Sequence, residues 1–315
     1  MIIAKIIGLF TIIFIGYGAN KIGWLPISAN KHLSIIVINI ATPCMVVVTM
    51  ADAEFTRDKI LSILVMFLIG TVCYFVSQAI GFLFNRVTRV PAAERGIFAN
   101  LLTFTNNGFM GYAIALVFFG REGLFLMVMI GCITPLFVYT GGAINAKKDA
   151  AVINGVILQK SSMRSMLKEV LNVPVFAAII GLIIYFFQIP MPEPVHDVLS
   201  SLGAMMTPLA MMVVGLQLTE SNAKDIIGNR HTVLMTVMRL VIIPVLFFLI
   251  MYPFGMPSLW LAVATLNFLL PSAVILSPVA AQFGANAKRT AEGIFLTTLF
   301  SMITIPIAAI LLHML

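Results

Sequence analysis

The sequence predicts an all-α membrane protein with ten transmembrane helices in two inverted five-helix repeats. Of its 315 residues, 61% are hydrophobic and only 10% are charged, whereas soluble domains average about 45–50% and about 25%. Apolar segments of membrane-spanning length recur along the whole chain, and short motifs of the first half reappear in the second. These three observations give the fold class.

Ten segments have the roughly 20 mostly apolar residues that a membrane helix needs. In chain order they are residues 2–19, 32–50, 60–84, 93–119, 122–145, 170–188, 195–218, 231–252, 258–283 and 288–312. The first is interpreted as a span and not as a removable signal peptide, because no cationic start and no small-residue cleavage site precede a mature domain. The longest polar stretch divides the chain into a first repeat at 1–146, a cytoplasmic loop at 147–168 and a second repeat at 169–315.

The basic residues predict the orientation, because cytoplasmic loops are enriched in Lys and Arg. With the N-terminus outside, 14 basic residues lie in cytoplasmic loops, 4 lie on the outer side, and Arg239 lies within a span. The cytoplasmic group is Lys21, Lys31, Arg86, Arg89, Arg95, Lys147, Lys148, Lys160, Arg164, Lys168, Lys224, Arg230, Lys288 and Arg289, and the outer group is Lys5, Arg57, Lys59 and Arg121. We therefore expect both termini outside.

Matching motifs indicate an internal repeat. Thr42-Pro43 in the second span corresponds to Thr207-Pro208 in the seventh at an offset of 165 residues, and Phe119-Gly120 corresponds to Phe283-Gly284 at an offset of 164. A third pair is Ile133-Thr134-Pro135 and Thr304-Ile305-Pro306. Because each unit has an odd number of spans, the second enters the membrane from the opposite side, and such inverted repeats suit a carrier with alternating access.

Each repeat also contains one interrupted span. The fourth is broken at Thr105-Asn106-Asn107-Gly108-Phe109-Met110-Gly111 and the ninth at Asn267-Phe268-Leu269-Leu270-Pro271-Ser272. The offset of 164 places Asn107 opposite Pro271, so the two breaks would meet near the membrane midplane. Broken helices at corresponding positions of two repeats are typical of a transporter's binding site.

The chemistry of such breaks favours an anion. Half-helix N-termini present N–H groups and the positive end of the helix dipole, which suit a carboxylate, and the Asn amides would add donors. In the alternative interpretation, Gly and Pro are ordinary kinks and the Asn side chains bridge helices. The predicted substrate-binding residues are Asn106, Asn107, Gly108, Phe109, Gly111, Asn267, Pro271, Ser272, Arg239, Asn39 and Thr207, and the predicted helix kinks are Pro43 and Pro208.

Arg239 is the one charge deep within a predicted span. A central Arg costs about 2.5–3.5 kcal/mol on insertion scales, so it should face protein or an aqueous cavity. Two roles remain open: it neutralises an anionic substrate, or it contacts backbone carbonyls at a helix break. All twelve Asp and Glu residues fall in predicted loops or at helix ends, which makes an anionic substrate more plausible than a cationic one.

Catalytic and cofactor sites are not predicted. Cys44, Cys73 and Cys132 stand alone in apolar segments, and the four His residues lie near helix ends, in loops or at the C-terminus. There is no nucleophile–base arrangement and no spacing for a metal. We therefore predict that the chain is not an enzyme, has no cofactor or metal site, and does not bind nucleic acid.

The interrupted spans resemble a known family. Asn106-Asn107-Gly108-Phe109-Met110-Gly111 is similar to the N-x-G-F-x-G signature of the auxin efflux carrier family, which includes plant PIN proteins and bacterial malonate or malate permeases. Arg239 to Pro244 resembles the family's basic-x4-Pro element, Leu270-Pro271-Ser272-Ala273 its ninth-span crossover, and Ser301 to Pro306 its S-x-x-T-x-P element. The resemblance extends over essentially the whole chain.

This resemblance implies a fold like that of sodium/proton antiporters, with helices 4 and 9 crossing at their breaks. Spans 1, 2, 6 and 7 would form a scaffold and a homodimer surface in the lipid, and spans 3–5 and 8–10 a transport unit that moves like an elevator. One departure concerns Gly111-Tyr112-Ala113, where the family usually has G-x-P, so the fourth-span break here must depend on Gly and Asn. The short central loop favours a permease of the bacterial inner membrane over a plant relative.

The predicted function is secondary transport of a small organic anion, such as the mono- or dicarboxylates malate and malonate. Neither the direction of transport nor the coupling ion follows from the sequence. One alternative is a sodium-coupled symporter of the bile-acid type, which would need side-chain oxygens near the crossover. Another is a membrane sensor with the same fold that binds its ligand without transporting it.

Overall fold

Every regular element that the structure describes is a helix. The computed structural model describes residues 2–156, 173–219 and 229–312, with side chains between residues 7 and 308. Lys160, Arg164, Lys168, Lys224 and most of the predicted loop 147–168 lie outside these ranges. Within them there is no strand, and the single β-bridge joins two residues of interrupted helices.

The helices of the first half are α1 (Ile2–Lys21), α2 (Ala29–Ile36), α3 (Thr42–Ala51), α4 (Arg57–Val87), α5 (Arg95–Thr103), α6 (Tyr112–Cys132), α7 (Thr134–Phe137) and α8 (Ala143–Asn154). Those of the second half are α9 (Val173–Phe187), α10 (Glu193–Ala204), α11 (Met206–Gln217), α12 (Arg230–Val237), α13 (Ile243–Met251), α14 (Ser258–Leu269), α15 (Leu276–Gln282) and α16 (Ala287–Leu312).

Six helical stretches of the described chain are long and apolar enough to cross a membrane: Ala29–Ala51, Arg57–Val87, Asn107–Asn154, Glu193–Gln217, Arg230–Phe254 and Ala287–Ala308. Three shorter apolar helices accompany them, at Ile7–Lys21, Val173–Phe187 and Ser258–Leu269. The prediction of an all-helical membrane protein is thereby confirmed at this level. The count of ten spans and their inverted arrangement stay predictions.

Local sequence explains where several helices begin, bend or end. The Thr56 hydroxyl accepts the N–H of Lys59 at the start of α4 (3.3 Å), as an N-cap residue does. α8 ends at Gly155, which is left-handed (φ 64°). Within α6, Gly120 (φ 67°, ψ −160°) breaks the helix, at the position where the sequence predicts the boundary between the fourth and fifth spans.

Wide π-helical turns precede two of the prolines. Val37–Ala41 lies just before Pro43 at the start of α3, and Met238–Ile242 lies just before Pro244 at the start of α13. A proline lacks the N–H that would bond to the carbonyl four residues earlier, and its ring crowds that carbonyl. The helix widens by one residue there and continues beyond the proline.

Two groups of helices pack around the interrupted ones. In the first group α1 lies along α11, and α9 and α10 both pack on α3. Gly16 and Gly215 allow this close approach, because a Cβ atom at either would collide with the backbone of the opposite helix. In the second group α4 and α8 pack on α5, α14 packs on α6, and α16 packs on α12 and α15. The interrupted helices therefore lie deep in the protein.

Candidate functional site

The two interrupted helices meet through their backbones. After α5 and α14 end, two short extended segments run antiparallel to each other. The N–H of Asn106 donates to the carbonyl oxygen of Pro271 (2.9 Å), and the N–H of Ala273 donates to the carbonyl oxygen of Phe104 (2.9 Å). The second bond is the first one with the two chain segments exchanged, so the crossover has a local two-fold symmetry.

The register of this crossover differs from the sequence-based prediction. Thr105 and Ser272 form the antiparallel bridge, which sets the offset at 167 residues, and Asn107 therefore does not lie opposite Pro271. The offset of 164 is the separation of Gly120 and Gly284. These glycines end the two arms, that is, the chain segments that follow the crossover. The first arm has three more residues between the crossover and its glycine, and it includes the wide turn Asn107–Gly111.

The C-terminal end of α5 is capped by side chains from the other half of the chain. The Ser272 hydroxyl donates to the carbonyl oxygen of Leu101 (2.7 Å), and Nη1 of Arg239 donates to the carbonyl oxygen of Leu102 (3.1 Å). Arg239 is fully buried. Of the two roles that the sequence leaves open for Arg239, this geometry corresponds to the contact with backbone carbonyls at a helix break.

The arm that follows the first break starts a new helix. The N–H groups of Met110 (3.1 Å) and Gly111 (3.0 Å) both donate to the carbonyl oxygen of Asn106. The N–H groups of the three residues before Met110 precede these first helical bonds, so they have no acceptor within the helix. Together with the positive end of the dipole of α6, they form an environment that attracts negative charge.

A cavity of about 310 Å³ lies beside this helix start. Its walls come from α3 and the turn before it, the two crossover segments, the region around α6 and α7, and α9. The lining residues are Ile38, Thr42, Val46, Thr105, Asn106, Asn107, Gly108, Phe109, Tyr112, Val128, Gly131, Cys132, Thr134, Pro135, Val138, Tyr139, Pro174, Val175, Ala178, Ala273, Val274 and Ile275. A mostly apolar wall with a few placed polar groups is typical of a small-molecule site.

The polar groups of the cavity include hydrogen-bond donors without a protein acceptor. Asn106 is only 2% exposed, and its Nδ2 has no partner among the described residues. The Thr42 hydroxyl is in the same situation. The Asn107 amide donates to the Thr134 hydroxyl (3.0 Å), which fixes its orientation. Among the residues that the structure describes, no charged side chain lines this cavity, so a bound anion would be held there by donors and the helix dipole.

The predicted residues of the first break lie together. Asn106, Asn107, Gly108 and Phe109 all line the cavity. A Cβ atom at Gly108 would meet nothing within 4 Å, so this position faces open space. Gly111 does not line it, because a Cβ there would lie 2.7 Å from the Leu270 side chain.

The predicted residues of the second break lie in the crossover and not on the wall of this cavity. Ser272 is fully buried, with its N–H bonded to the Thr297 hydroxyl (3.2 Å). Pro271 contributes the carbonyl oxygen that Asn106 bonds. Asn267 accepts a hydrogen bond from the Thr105 hydroxyl (3.1 Å) and lines a second, much smaller cavity.

The predicted residues of the second and seventh spans lie outside both cavities. Asn39 is exposed and Thr207 is half-buried. Pro43 follows the wide turn at the start of α3. Pro208 lies in the first turn of α11, just after a turn at Met205 that separates it from α10.

Several lining residues were not predicted as site residues from the sequence. Thr105 and Thr134 place hydroxyls at the cavity wall, and Tyr112 and Tyr139 place rings there. Thr134 had a signal, since Thr134-Pro135 belongs to one of the repeated motifs. The tyrosines had none, because an aromatic residue in an apolar span does not indicate which side of the helix faces a cavity.

Comparison with known proteins gives consistent matches over nearly the whole chain. The profile of the membrane transport protein family matches residues 1–309. An uncharacterized transporter of Methanocaldococcus jannaschii is 25% identical over 299 residues, which is 93% of each chain. Another, from Methanothermobacter thermautotrophicus, is 23% identical over 98% of this chain and 97% of its own. A protein of Rhizobium meliloti named "Putative malonate transporter" is 25% identical over 96% of this chain and 94% of its own.

Proposed function

Because the chain belongs to the membrane transport protein family that includes the auxin efflux carriers, we propose that it is a secondary transporter for a small organic anion. Family and relatives are transporters and not enzymes. The finer parts of this proposal are the substrate class, its binding site, and the movement that carries it across the membrane.

One observation carries the proposed substrate class. The buried Nδ2 of Asn106 has no protein acceptor and lies at the wall of the 310 Å³ cavity. A buried donor without a partner is costly, by about 1–3 kcal/mol, and a ligand that accepts its hydrogen bond removes this cost. The adjacent N–H groups at the start of the turn Asn107–Gly111 favour an acceptor with negative charge.

A mono- or dicarboxylate such as malate or malonate fits this environment. One carboxylate would accept from Asn106 Nδ2 and the free N–H groups, and the Thr42 hydroxyl would supply a further donor. The cavity lies at the lower end of the roughly 300–1,000 Å³ of small-molecule sites, which suits a compact substrate. The relative named for malonate supports the same class.

The proposed topology is ten spans in two inverted repeats with both termini outside. The helices before residue 156 would form the first repeat and those after residue 173 the second. The local two-fold symmetry of the crossover supports this arrangement. So does the distribution of Lys and Arg, which favours cytoplasmic loops over the outer side.

The proposed movement is that of an elevator. In this proposal α1–α3 and α9–α11 form a scaffold, which also makes a homodimer surface, and the other helices form a transport unit. The cavity has walls from both groups, since α3 and α9 face the crossover across it. A substrate bound there would change sides when the transport unit slides along the scaffold.

Uptake of labelled malonate and malate into proteoliposomes tests the proposal. We expect Asn106→Ala to lower uptake about 10- to 100-fold, because a hydrogen bond to a charged group contributes about 1.5–3 kcal/mol. Asn39→Ala is the matched control, since Asn39 is exposed and does not line the cavity. Wild-type uptake in an Asn106→Ala protein would refute the site. Melting temperatures that rise with malonate while no flux occurs would instead indicate a sensor.

A further inference from the structure

The loop between α4 and α5 borders an open cavity of about 620 Å³, whose remaining walls come from the end of α4 and from α8. Four basic side chains line it: Arg86, Arg89, Arg95 and Lys148. None of the four forms an ion pair with a carboxylate of the described chain. Positive charge therefore converges on one cavity without an ion-pair partner.

The carboxylate of Asp149, the one carboxylate among the described lining residues, does not change this. Asp149 is 1% exposed, and its two oxygens accept the N–H groups of Gly96 and Ile97 (2.8 Å each). These N–H groups begin α5, so Asp149 is engaged in capping that helix. The cavity keeps an excess of positive charge.

The second half of the chain has a corresponding loop without these charges. Arg89-Val90-Pro91 before α5 corresponds to Gly255-Met256-Pro257 before α14 at an offset of 166 residues. The two prolines have nearly equal backbone angles (φ −53°, ψ 141° and φ −50°, ψ 138°), and a cavity of about 470 Å³ borders the second loop as well. At that offset the three arginines correspond to uncharged lining residues of the second cavity: Tyr252, Gly255 and Leu261. The fold therefore forms such a cavity without arginines.

Arg89 has a backbone conformation that favours glycine. Its φ is 55°, in the left-handed region, and the corresponding Gly255 has φ 61°. A side chain is disfavoured in this conformation, and glycine is the usual residue where a helix ends in this way. Residues held in such conformations cluster at functional sites, so an arginine here indicates that its side chain is used.

The other lining residues indicate which kind of ligand would fit. Asn85 is 3% exposed and its Oδ1 has no donor among the described residues, so a hydroxyl group on the ligand would satisfy it. Phe82, one turn before Arg86 on α4, and Val152 on α8 also line the cavity and are about half exposed (50% and 52%). They connect the cavity with the apolar outer surface of these helices.

We propose that this cavity binds the headgroup of an anionic phospholipid. The phosphate would lie against Arg86 and Arg89, because the guanidinium fork matches phosphate oxygens. A headgroup hydroxyl would donate to Asn85, and the acyl chains would pass Phe82 and Val152. Basic pockets between membrane helices bind lipid headgroups in this way. Orientation in the membrane requires positive charge on a loop but not its convergence on a cavity.

Thermal unfolding of the purified protein in dodecyl maltoside micelles tests the site. At equal ionic strength, we expect the melting temperature to rise with phosphatidylglycerol and to rise clearly less with phosphatidylcholine or inorganic phosphate, because a ligand of the folded state stabilises it. Arg86→Gln should remove most of the phosphatidylglycerol shift, whereas Arg86→Lys should retain part of it. Arg57→Gln is the matched control, since Arg57 is an exposed arginine at the opposite end of α4 and does not line the cavity.

Arg89→Gly distinguishes lipid binding from a structural role of the arginine. This change gives the loop the residue that the corresponding loop has at Gly255 and removes the unfavourable left-handed side chain. The melting temperature without phosphatidylglycerol should therefore stay the same or rise, while the shift with phosphatidylglycerol should fall. A purely structural role would lower the melting temperature and leave the shift intact.

Four results would overturn the proposal. Equal shifts with phosphatidylglycerol and phosphatidylcholine would refute the headgroup site, and so would a phosphatidylglycerol shift that survives in both Arg86→Gln and Arg89→Gly. An equal loss of the shift in Arg57→Gln would mean that overall charge attracts the lipid. A shift with inorganic phosphate as large as that with phosphatidylglycerol would make a soluble phosphate the occupant. Because none of these measurements involves malonate, their outcome is independent of the proposed transport.

Discussion

α5 and α14 end on opposite sides of one crossover, and their ends are completed in different ways. At α5, the hydroxyl of Ser272 and the guanidinium of Arg239 bond the terminal carbonyls. At α14, Pro271 has no N–H and the N–H groups of Ser272 and Ala273 donate elsewhere, and a small cavity with both apolar and hydroxyl-bearing lining residues lies beside this end. The backbone is nearly symmetric here, so the side chains alone distinguish the two ends.

This difference gives two helix ends of similar backbone geometry unlike chemical surroundings. Arg239 is part of the chain and bonds the end of α5 directly. The end of α14 has no bonded cationic side chain among the described residues and borders the cavity of about 30 Å³. Similar backbone geometry therefore does not imply equivalent roles for the two breaks.

The largest effect is expected when α14 is allowed to continue as a helix through its break. Pro271→Ala restores an N–H that can reach the carbonyl of Asn267, and it removes a penalty of about 3 kcal/mol against a continuous helix. That change competes with the bond from Asn106 to residue 271. We expect malonate uptake to fall by about 100-fold, the ratio that about 3 kcal/mol represents.

Pro208→Ala serves as the control for this experiment. Pro208 lies in the first turn of α11, where its missing N–H would have no helical partner, and we expect uptake close to that of the wild type. Pro271→Ala uptake at the wild-type level would show that the break does not need its proline. The difference between the ends of α5 and α14 would then not come from the missing N–H of Pro271.

The next effect concerns the capped end of α5. Arg239→Leu leaves the carbonyl of Leu102 without its donor, and loss of a hydrogen bond to a charged group costs about 1.5–3 kcal/mol. We expect uptake to fall by about one to two orders of magnitude, and Arg239→Lys to recover part of it because the charge returns without the planar fork. The apparent affinity for malonate, measured by competition, should change less than the maximal rate.

That last measurement separates the two roles of Arg239. If Arg239 neutralised the substrate, its loss would mainly weaken the affinity for malonate, and the shortfall in uptake rate would disappear at saturating malonate. If it caps α5, the shortfall persists at saturation. An Arg239→Leu protein with a normal maximal rate would contradict the structural role and favour direct contact with the anion.

Much of the crossover could be predicted from the sequence, for identifiable physical reasons. Gly108 weakens a helix and Pro271 cannot supply the N–H that a continuous helix needs, so interruptions of these two apolar runs are visible without coordinates. The first break itself lies at residues 104–106, just before Gly108. The family membership inferred from the motif at Asn106 to Gly111 is confirmed by the match to residues 1–309. All Asp and Glu residues fall in predicted loops or at the ends of predicted spans, which favours an anionic substrate over a cationic one.

Other features depend on which way a helix faces, and no local signal encodes that. Asn39 and Asn106 are both polar residues in apolar spans, yet the first is exposed and the second lies at the cavity. The register of the crossover could not be obtained from the end glycines, because the segment from the crossover to Gly120, which includes the wide turn Asn107–Gly111, is three residues longer than the segment to Gly284. The small cavity lies at the end of α14, where Pro271 has no N–H and the N–H groups of Ser272 and Ala273 donate to other partners. Those partners are known only from three-dimensional contacts.

The smallest effect is expected at Gly108, where stability and transport should change in opposite directions. A Cβ atom at Gly108 meets nothing within 4 Å, and Gly→Ala within a helix stabilises it by about 0.5–1 kcal/mol. Gly108→Ala should therefore not lower the melting temperature, while its methyl group occupies the cavity beside Asn106 and reduces malonate affinity by roughly threefold to tenfold, as about 0.7–1.4 kcal/mol would.

Gly18→Ala and Gly111→Ala provide the controls on either side of this prediction. Gly18 in α1 also has open space around a Cβ but lies outside the cavity, so Gly18→Ala should leave malonate affinity unchanged. Gly111→Ala places a Cβ against the Leu270 side chain at 2.7 Å and should lower the melting temperature. If the Gly108→Ala protein transports malonate with wild-type affinity, the anion does not bind beside the turn Asn107–Gly111. The two breaks would then not differ in anion binding.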